Sequence, residues 1–150
     1  MPVNIPKGAE PRISLMLRLL HDAYASAVDA ELTAAGFADL SGGRAKVLPF
    51  VPEDGIPVGR LAMLAGVRKQ TMAEMVGQLQ RDGYLRSGSN PNDARSRLIF
   101  LTARGREARP AAMAAGDRVE EHWKELTTPH LVTRLRNDLA KLLDALGRSV

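Results

Sequence analysis

The 150 residues are 45% hydrophobic and 25% charged, contain no cysteine, and carry 21 Lys and Arg against 17 Asp and Glu, a net +4 at pH 7. A chain of this length can bury roughly two thirds of its unfolded surface, so one globular domain with a real core is expected and disorder is excluded. The absence of cysteine rules out disulfides, thiolate metal sites and cysteine-based catalysis or redox sensing, and no apolar run reaches the ~20 residues of a bilayer span.

In chain order, residues 1–12 hold Pro2, Pro6 and Pro11 and read as a flexible arm. They lack the apolar stretch of an export signal, so a cytoplasmic protein is expected. Ile13, Met16, Leu17, Leu20, Tyr24, Ala27, Val28, Leu32 and Ala35 recur at spacings of three and four, the stripe of a long amphipathic helix that Gly36 stops. A second helix is expected from Ser41 as N-cap through Val47 and Leu48, although Gly42, Gly43 and Pro49 weaken it. Pro52, Glu53, Asp54 and Gly55 form a turn, and Ile56–Val58 a very short extended piece. Leu61–Val67 and Met72–Leu79 read as two short helices parted at Gly66. Tyr84–Ser87 and Arg97–Leu101 are strand-like, and the turn-rich residues between them predict a β-hairpin with a long exposed tip. Thr102 can cap a helix bearing Ala112, Ala115, Val119, Trp123 and Leu126 on one face, with Pro110 as a kink or restart. Pro129 opens a last helix whose Val132, Leu135, Leu139, Leu142 and Leu146 are spaced like a seam between helices. Intramolecular packing would satisfy that seam too, but two long closing helices and a long first one offer more apolar surface than the middle of the chain can cover, which favours a homodimer.

Charge is concentrated in one place. Between Arg60 and Arg109 stand ten basic and four acidic residues, a local +6 that leaves −2 for the rest, the footprint expected of an element that binds a polyanion.

Within it, Leu61–Leu85 has the features of a helix-turn-helix. Ala62 is small enough for a second helix to cross closely, Gly66 supplies the turn, and Val67, Met72, Val76 and Leu79 form a buried face. Arg68, Lys69, Gln70 and Thr71 then begin the second helix, where residues reach base edges in the major groove. Lys69 suits guanine acceptors or a phosphate, Gln70 can pair bidentately with adenine, and Thr71 can touch a thymine methyl or a phosphate oxygen. The hairpin that follows carries Asn92, Arg95 and Arg97 near its tip, with Asp93 placed to hold the tip through an ion pair to Arg95. A long arginine on a protruding hairpin is shaped for a narrow minor groove. The fold class is therefore mainly α with a small β-hairpin wing: a winged helix-turn-helix over residues 40–101, with residues 13–36 and 102–148 as dimerisation helices.

At these residues the chain resembles the MarR family of bacterial transcriptional regulators. The wing sequence from Asn90 to Gly105, with Asp93, Arg95 and Leu101-Thr102, carries the likeness most sharply, and it extends from about Ile13 through nearly the whole chain. The resemblance implies a homodimer reading double-stranded DNA at a pseudo-palindromic operator with half-sites roughly 10 bp apart. It also implies a repressor released by a small, often aromatic or phenolic, anionic effector. Two residues depart from the family pattern. Arg68 replaces a capping Ser or Thr, losing about 1 kcal/mol of cap while adding a phosphate-seeking charge. Glu74 stands where relatives have Arg, and either accepts from cytosine N4 or lowers nonspecific affinity.

Other constellations are bland. His21, His122 and His130 form no close metal-ligand pair, and Ser14, His21 and Asp22 on one helix cannot form a triad, so no metal, cofactor or catalytic set is expected. Met16, Met63, Met75, Phe37, Phe50, Tyr24 and Trp123 can line an effector cavity or simply be core; the residues of an effector site are not legible. The competing reading is a winged-helix protein-interaction module whose basic face meets an acidic protein instead of an operator.

Overall fold

A computed structural model describes residues 6–149. Of the expected arm, residues 1–5 lie outside the described residues, and residues 6–12 hold a turn at Lys7 and Gly8 with no helix or strand. Helix α1 (Ile13–Ala34) follows the predicted stripe, and Gly36, at φ 89°, ends it in a conformation that favours glycine. Only its C-terminal end is covered: Leu32 is fully buried, whereas Ile13, Met16, Leu17 and Leu20 are exposed.

The second α-helix expected from Ser41 does not form. Two 3-10 segments, Ala38–Leu40 and Arg44–Phe50, stand in its place, separated by Gly42 and Gly43 at φ 79° and 81°. Two successive left-handed residues stop an α-helix from propagating, and the Ser41 hydroxyl donates to the Ala38 carbonyl rather than capping a new one. The segment nevertheless supplies Leu40, Ala45, Val47 and Leu48 to the core.

Strand β1 (Ile56–Pro57) leads into α2 (Val58–Ala65) and α3 (Lys69–Arg81). Gly66 takes φ 65° between the two helices, letting the Val67 amide donate to the Ala62 carbonyl, so that the turn closes as its sequence predicts. Strands β2 (Leu85–Asn90) and β3 (Asp93–Leu101) complete an antiparallel sheet of order β1-β3-β2. The hairpin is longer and its tip tighter than expected. Both strands run into the turn-rich segment and leave only Pro91 and Asn92 as the turn.

Helices α4 (Ala103–Leu126) and α5 (Pro129–Ala145) close the chain. Thr102 and Thr128 cap them, each hydroxyl accepting from the backbone amide three residues on, a contribution of about 1 kcal/mol apiece. Pro110 neither ends nor restarts α4: losing one amide removes a single helical hydrogen bond, and burial of Ala108 and Ala115 on either side holds the helix continuous.

One core joins these elements. Leu32, Leu40, Leu48, Leu61, Met72, Leu79, Tyr84 and Leu101 are all fully or almost fully buried in it, each contributing roughly 1.5 to 3 kcal/mol. The α5 seam is covered only at its start, for Val132 is buried while Leu142 and Leu146 are exposed.

Candidate nucleic-acid interface

Met72, Val76 and Leu79 face the core, and the opposite side of α3 is polar and exposed from its first turn. Arg68 occupies the N-cap with no side-chain cap hydrogen bond, so the first amides of α3 remain open to an acceptor such as a phosphate. Arg68, Lys69, Gln70, Thr71 and Glu74 all lie exposed at this end.

The wing is organised by side chains that satisfy its own backbone. Ser89 pairs with Arg97 and Asn90 with Asp93, so Ala94, Arg95 and Ser96 bulge from the ladder. The Asn90 side-chain amide donates to Ser96 Oγ at 2.8 Å and its Oδ1 accepts from the Asn92 amide at 3.0 Å. Asp93 Oδ1 accepts from the Arg95 backbone amide at 2.9 Å. The expected Asp93–Arg95 ion pair is thus replaced by an Asx turn, because two residues on in a bulge the amide is the nearer donor. Asn92, Arg95 and Arg97 are exposed, with Arg97 donating to Ser87 Oγ at 3.4 Å. No hydrogen bond or ion pair joins these wing residues to the start of α3 among the described residues; they are two separate prongs. Behind them, the Arg86 guanidinium lies 4.4 Å from the Phe100 ring centre. Phe100 needs Gly55 beneath it, since a Cβ there would meet its ring at 2.6 Å.

The basic segment divides into two classes. Arg104 pairs with Asp39, and Arg106 and Arg109 with Glu53, so these three cations serve the structure. No ion pair involves Arg60, Arg68, Lys69, Arg81, Arg86, Arg95 or Arg97 among the described residues, although Arg81 donates to the Gln78 side chain.

The far end of α3 enters a polar joint that sequence reading missed. Asp82, its C-cap, accepts from Arg44 at 3.1 Å and from the Gln78 side chain. Two residues later the Tyr84 hydroxyl donates to Asp39 at 2.5 Å. Arg104, on the first turn of α4, lies over the Tyr84 ring at 4.4 Å, donates to Asp39 at 2.8 Å and to the Tyr84 hydroxyl at 3.0 Å, and reaches the Asp82 carbonyl at 3.1 Å. Burial first, and then the hydrogen bond to Asp39, push the Tyr84 phenol from its ordinary 10 up to about 12. A pKa raised by folding means that the unfolded chain releases this proton first. The stabilisation is therefore complete below about pH 10 and is lost as pH rises toward about 12. Urea unfolding across that window should show stability falling in the wild type and falling less steeply in Tyr84→Phe.

Between α1, the second 3-10 segment and α4 lies a cleft of about 320 Å³ lined by Tyr24, Val28, Lys46, Phe50, Met113 and Glu120, among others. Burial, then Glu120 and Asp117, raise the Tyr24 pKa, so its phenol stays a neutral donor. Trp123 meets Tyr24 edge-on at 5.8 Å and borders a separate groove against α5. Of the other aromatic and Met residues singled out above, Phe50 lines the cleft and Phe37 and Met75 pack on the core. Met16 and Met63 are exposed, Met63 at 72%. The three histidines are exposed, and no group of three or more metal-ligating side chains occurs among the described residues.

A helix-turn-helix followed at once by a β2–β3 hairpin that pairs with the preceding β1, and framed by long helices, defines a winged helix-turn-helix protein. The chain is 30% identical over 141 residues to the transcriptional activatory protein BadR of Rhodopseudomonas palustris, covering 91% of this chain and 77% of that one. It also superimposes on a variant of Escherichia coli MarR complexed with operator DNA, with a TM-score of 0.76 and 20% identity over 87% of this chain and 93% of that one. The chain belongs to the MarR family, whose members are transcriptional regulators and not enzymes. It is 36% identical over 69 residues to the regulator HosA of Escherichia coli O111:H-, a match covering 46% of this chain and spanning about half, 51%, of the relative. No family model matches. No helix among the described residues is long and apolar enough to cross a membrane.

Proposed function

We propose that the protein is a sequence-specific double-stranded DNA-binding regulator, a homodimer that represses from a pseudo-palindromic operator and is released by a small aromatic or anionic effector. The observation that carries this reading is the set of exposed cations without acidic partners at the start of α3 and on the wing, set apart from the cations that hold the fold together. On this reading residues 40–101 are the DNA-binding lobe and residues 13–36 and 102–148 the dimerisation helices. The exposed apolar residues of α1 and α5 favour that division, because a second copy would cover them. Lys69, Gln70 and Thr71 read the major groove, Glu74 accepts from a cytosine or limits nonspecific affinity, and Arg68 takes a phosphate. Arg95 enters the minor groove, with Asn92 and Arg97 against the flanking backbone and Asp93 holding the wing. The cleft offers an aromatic effector the Tyr24 and Phe50 rings, with Lys46 on one side and Asp117 and Glu120 also in its lining. A DNA-binding regulator works where the chromosome is, in the cytoplasm.

Selection of bound duplexes from a random pool tests the reading: a recovered palindrome with half-sites roughly 10 bp apart is expected, whereas a pool without consensus would sink it and favour the protein-interaction module. In anisotropy titrations of the selected duplex, Arg95→Ala should weaken all sequences together. Gln70→Ala should instead relax preference at one base pair per half-site, worth about 1 to 3 kcal/mol of discrimination.

A further inference from the structure

The start of α3 is placed for reading, but its direction relative to the rest of the molecule is set at the other end. Helix α3 packs on α2, β2 and the second 3-10 segment, and hardly on the long helices α1 and α4. Apolar contacts through the core hold these elements together without fixing an angle, since hydrophobic attraction is not directional. Hydrogen bonds are directional, and those at this end converge from three sides. Asp39 stands on the first 3-10 segment, directly after α1; Arg104 stands on the first turn of α4; and Asp82 and Tyr84 are the residues in which α3 ends and β2 begins. Arg104 binds all three of the others, reaching Asp39 and Tyr84 through side chains and Asp82 through its carbonyl.

We infer that Asp39, Tyr84 and Arg104 form a positioning joint that sets the angle of the recognition helix against the long helices, and thereby the half-site spacing that the dimer accepts. This rests on the DNA-binding reading above. None of the three is assigned to DNA: Tyr84 is fully buried, and the Arg104 guanidinium is already engaged by three acceptor groups and a ring face on its own chain. Their effect reaches DNA through α3 alone. A helix tilted by a few degrees moves its reading end by about an ångström over its length, and because both protomers move, the separation of the two reading ends changes by twice that.

The experiment compares full-length wild type, Arg104→Ala, Asp39→Asn and Tyr84→Phe on the selected operator and on versions with the half-site spacing lengthened or shortened by 1 bp. Wild type should penalise the altered spacings at least tenfold. The variants should lose most of that penalty, binding the altered duplexes almost as well as the original, while the slope of log affinity against log salt stays unchanged because no phosphate contact is lost. Asp39→Asn and Tyr84→Phe are near-isosteric, so they decide the matter where Arg104→Ala fails to fold. A merely structural role would weaken every spacing by one common factor; that result, or an unchanged spacing penalty in folded variants, overturns the joint. A wild type that binds no selected duplex instead overturns the DNA-binding reading beneath it.

Discussion

Gly105→Ala should lower stability by at least about 3 kcal/mol and leave little folded protein, a loss at the extreme of what one methyl group causes. A Cβ built on Gly105 would lie 2.1 Å from the Tyr84 carbonyl oxygen and 3.1 Å from a Leu101 methyl carbon. The carbonyl cannot yield, for it accepts the Thr102 amide at 3.1 Å and belongs to the residue whose side chain fills the joint. Helix α4 cannot yield either, since Gly105 donates to its capping Thr102, and Thr102 Oγ1 donates to the Gly83 carbonyl at 2.6 Å. The methyl group therefore forces apart the first turn of α4 and the start of β2, breaking cap, joint and core at once. Gly77→Ala is the matched control. Its Cβ would sit 3.6 Å from an Arg81 guanidinium nitrogen, an ordinary contact, and should stabilise α3 by roughly 0.5 to 1 kcal/mol. Urea midpoints of the two variants measure both effects, and an undiminished midpoint for Gly105→Ala would mean that helix and strand do not meet this closely.

The difference between Gly77 and Gly105 marks what the sequence reveals and what it withholds. Helices α1, α3, α4 and α5 were legible because their signals are local: apolar spacing, Thr102 and Thr128 as caps, Pro129 at a first turn, Gly36 and Gly66 as stops. Residues 38–50 were not, because their apolar content is that of a core helix while Gly42 and Gly43 impose left-handed geometry. The wing was underestimated for the opposite reason. Gly88–Asp93 has the composition of a loop, yet pairing with β3 and the Phe100 ring, 3.1 Å from where a Gly88 Cβ would sit, extend the strands through most of it. These are tertiary effects that override local preference.

The site divides along the same line. Exposed cations at the start of α3 and on the wing follow from position in local elements. The joint does not, since Asp39 and Arg104 are 65 residues apart and Arg44 and Asp82 are 38 apart. Charge counting treated Arg104, Arg106 and Arg109 like the rest, and only their partners Asp39 and Glu53 show them to be structural. Conversely, the Asp93 carboxylate accepts from the Arg95 backbone amide, where sequence spacing points to the Arg95 guanidinium.

That partition of the cations leads to the steepest expected response of the molecule. Raising salt from 50 to 200 mM should weaken binding to the selected operator by about 10³ to 10⁵, the loss that accompanies 6 to 10 phosphate contacts. Arg60, Arg68, Lys69, Arg86, Arg95 and Arg97 have no acidic partner among the described residues, so each is free to displace a condensed counterion, and a homodimer presents every one of them twice. That supply still reaches the lower end of 6 to 10 contacts if half of these side chains touch no phosphate. Arg106→Ala should leave the salt slope unchanged, because its guanidinium already lies against Glu53. Removing an unpaired cation that touches a phosphate, as expected for Arg68→Ala, should flatten the slope by about one unit per protomer. Anisotropy titrations at four or five salt concentrations give all these slopes. A wild-type slope shallower than about −2 would mean that the free cations meet no polyanion, and the basic face would then have to be assigned to an acidic protein surface, where rim charges are screened far more gently.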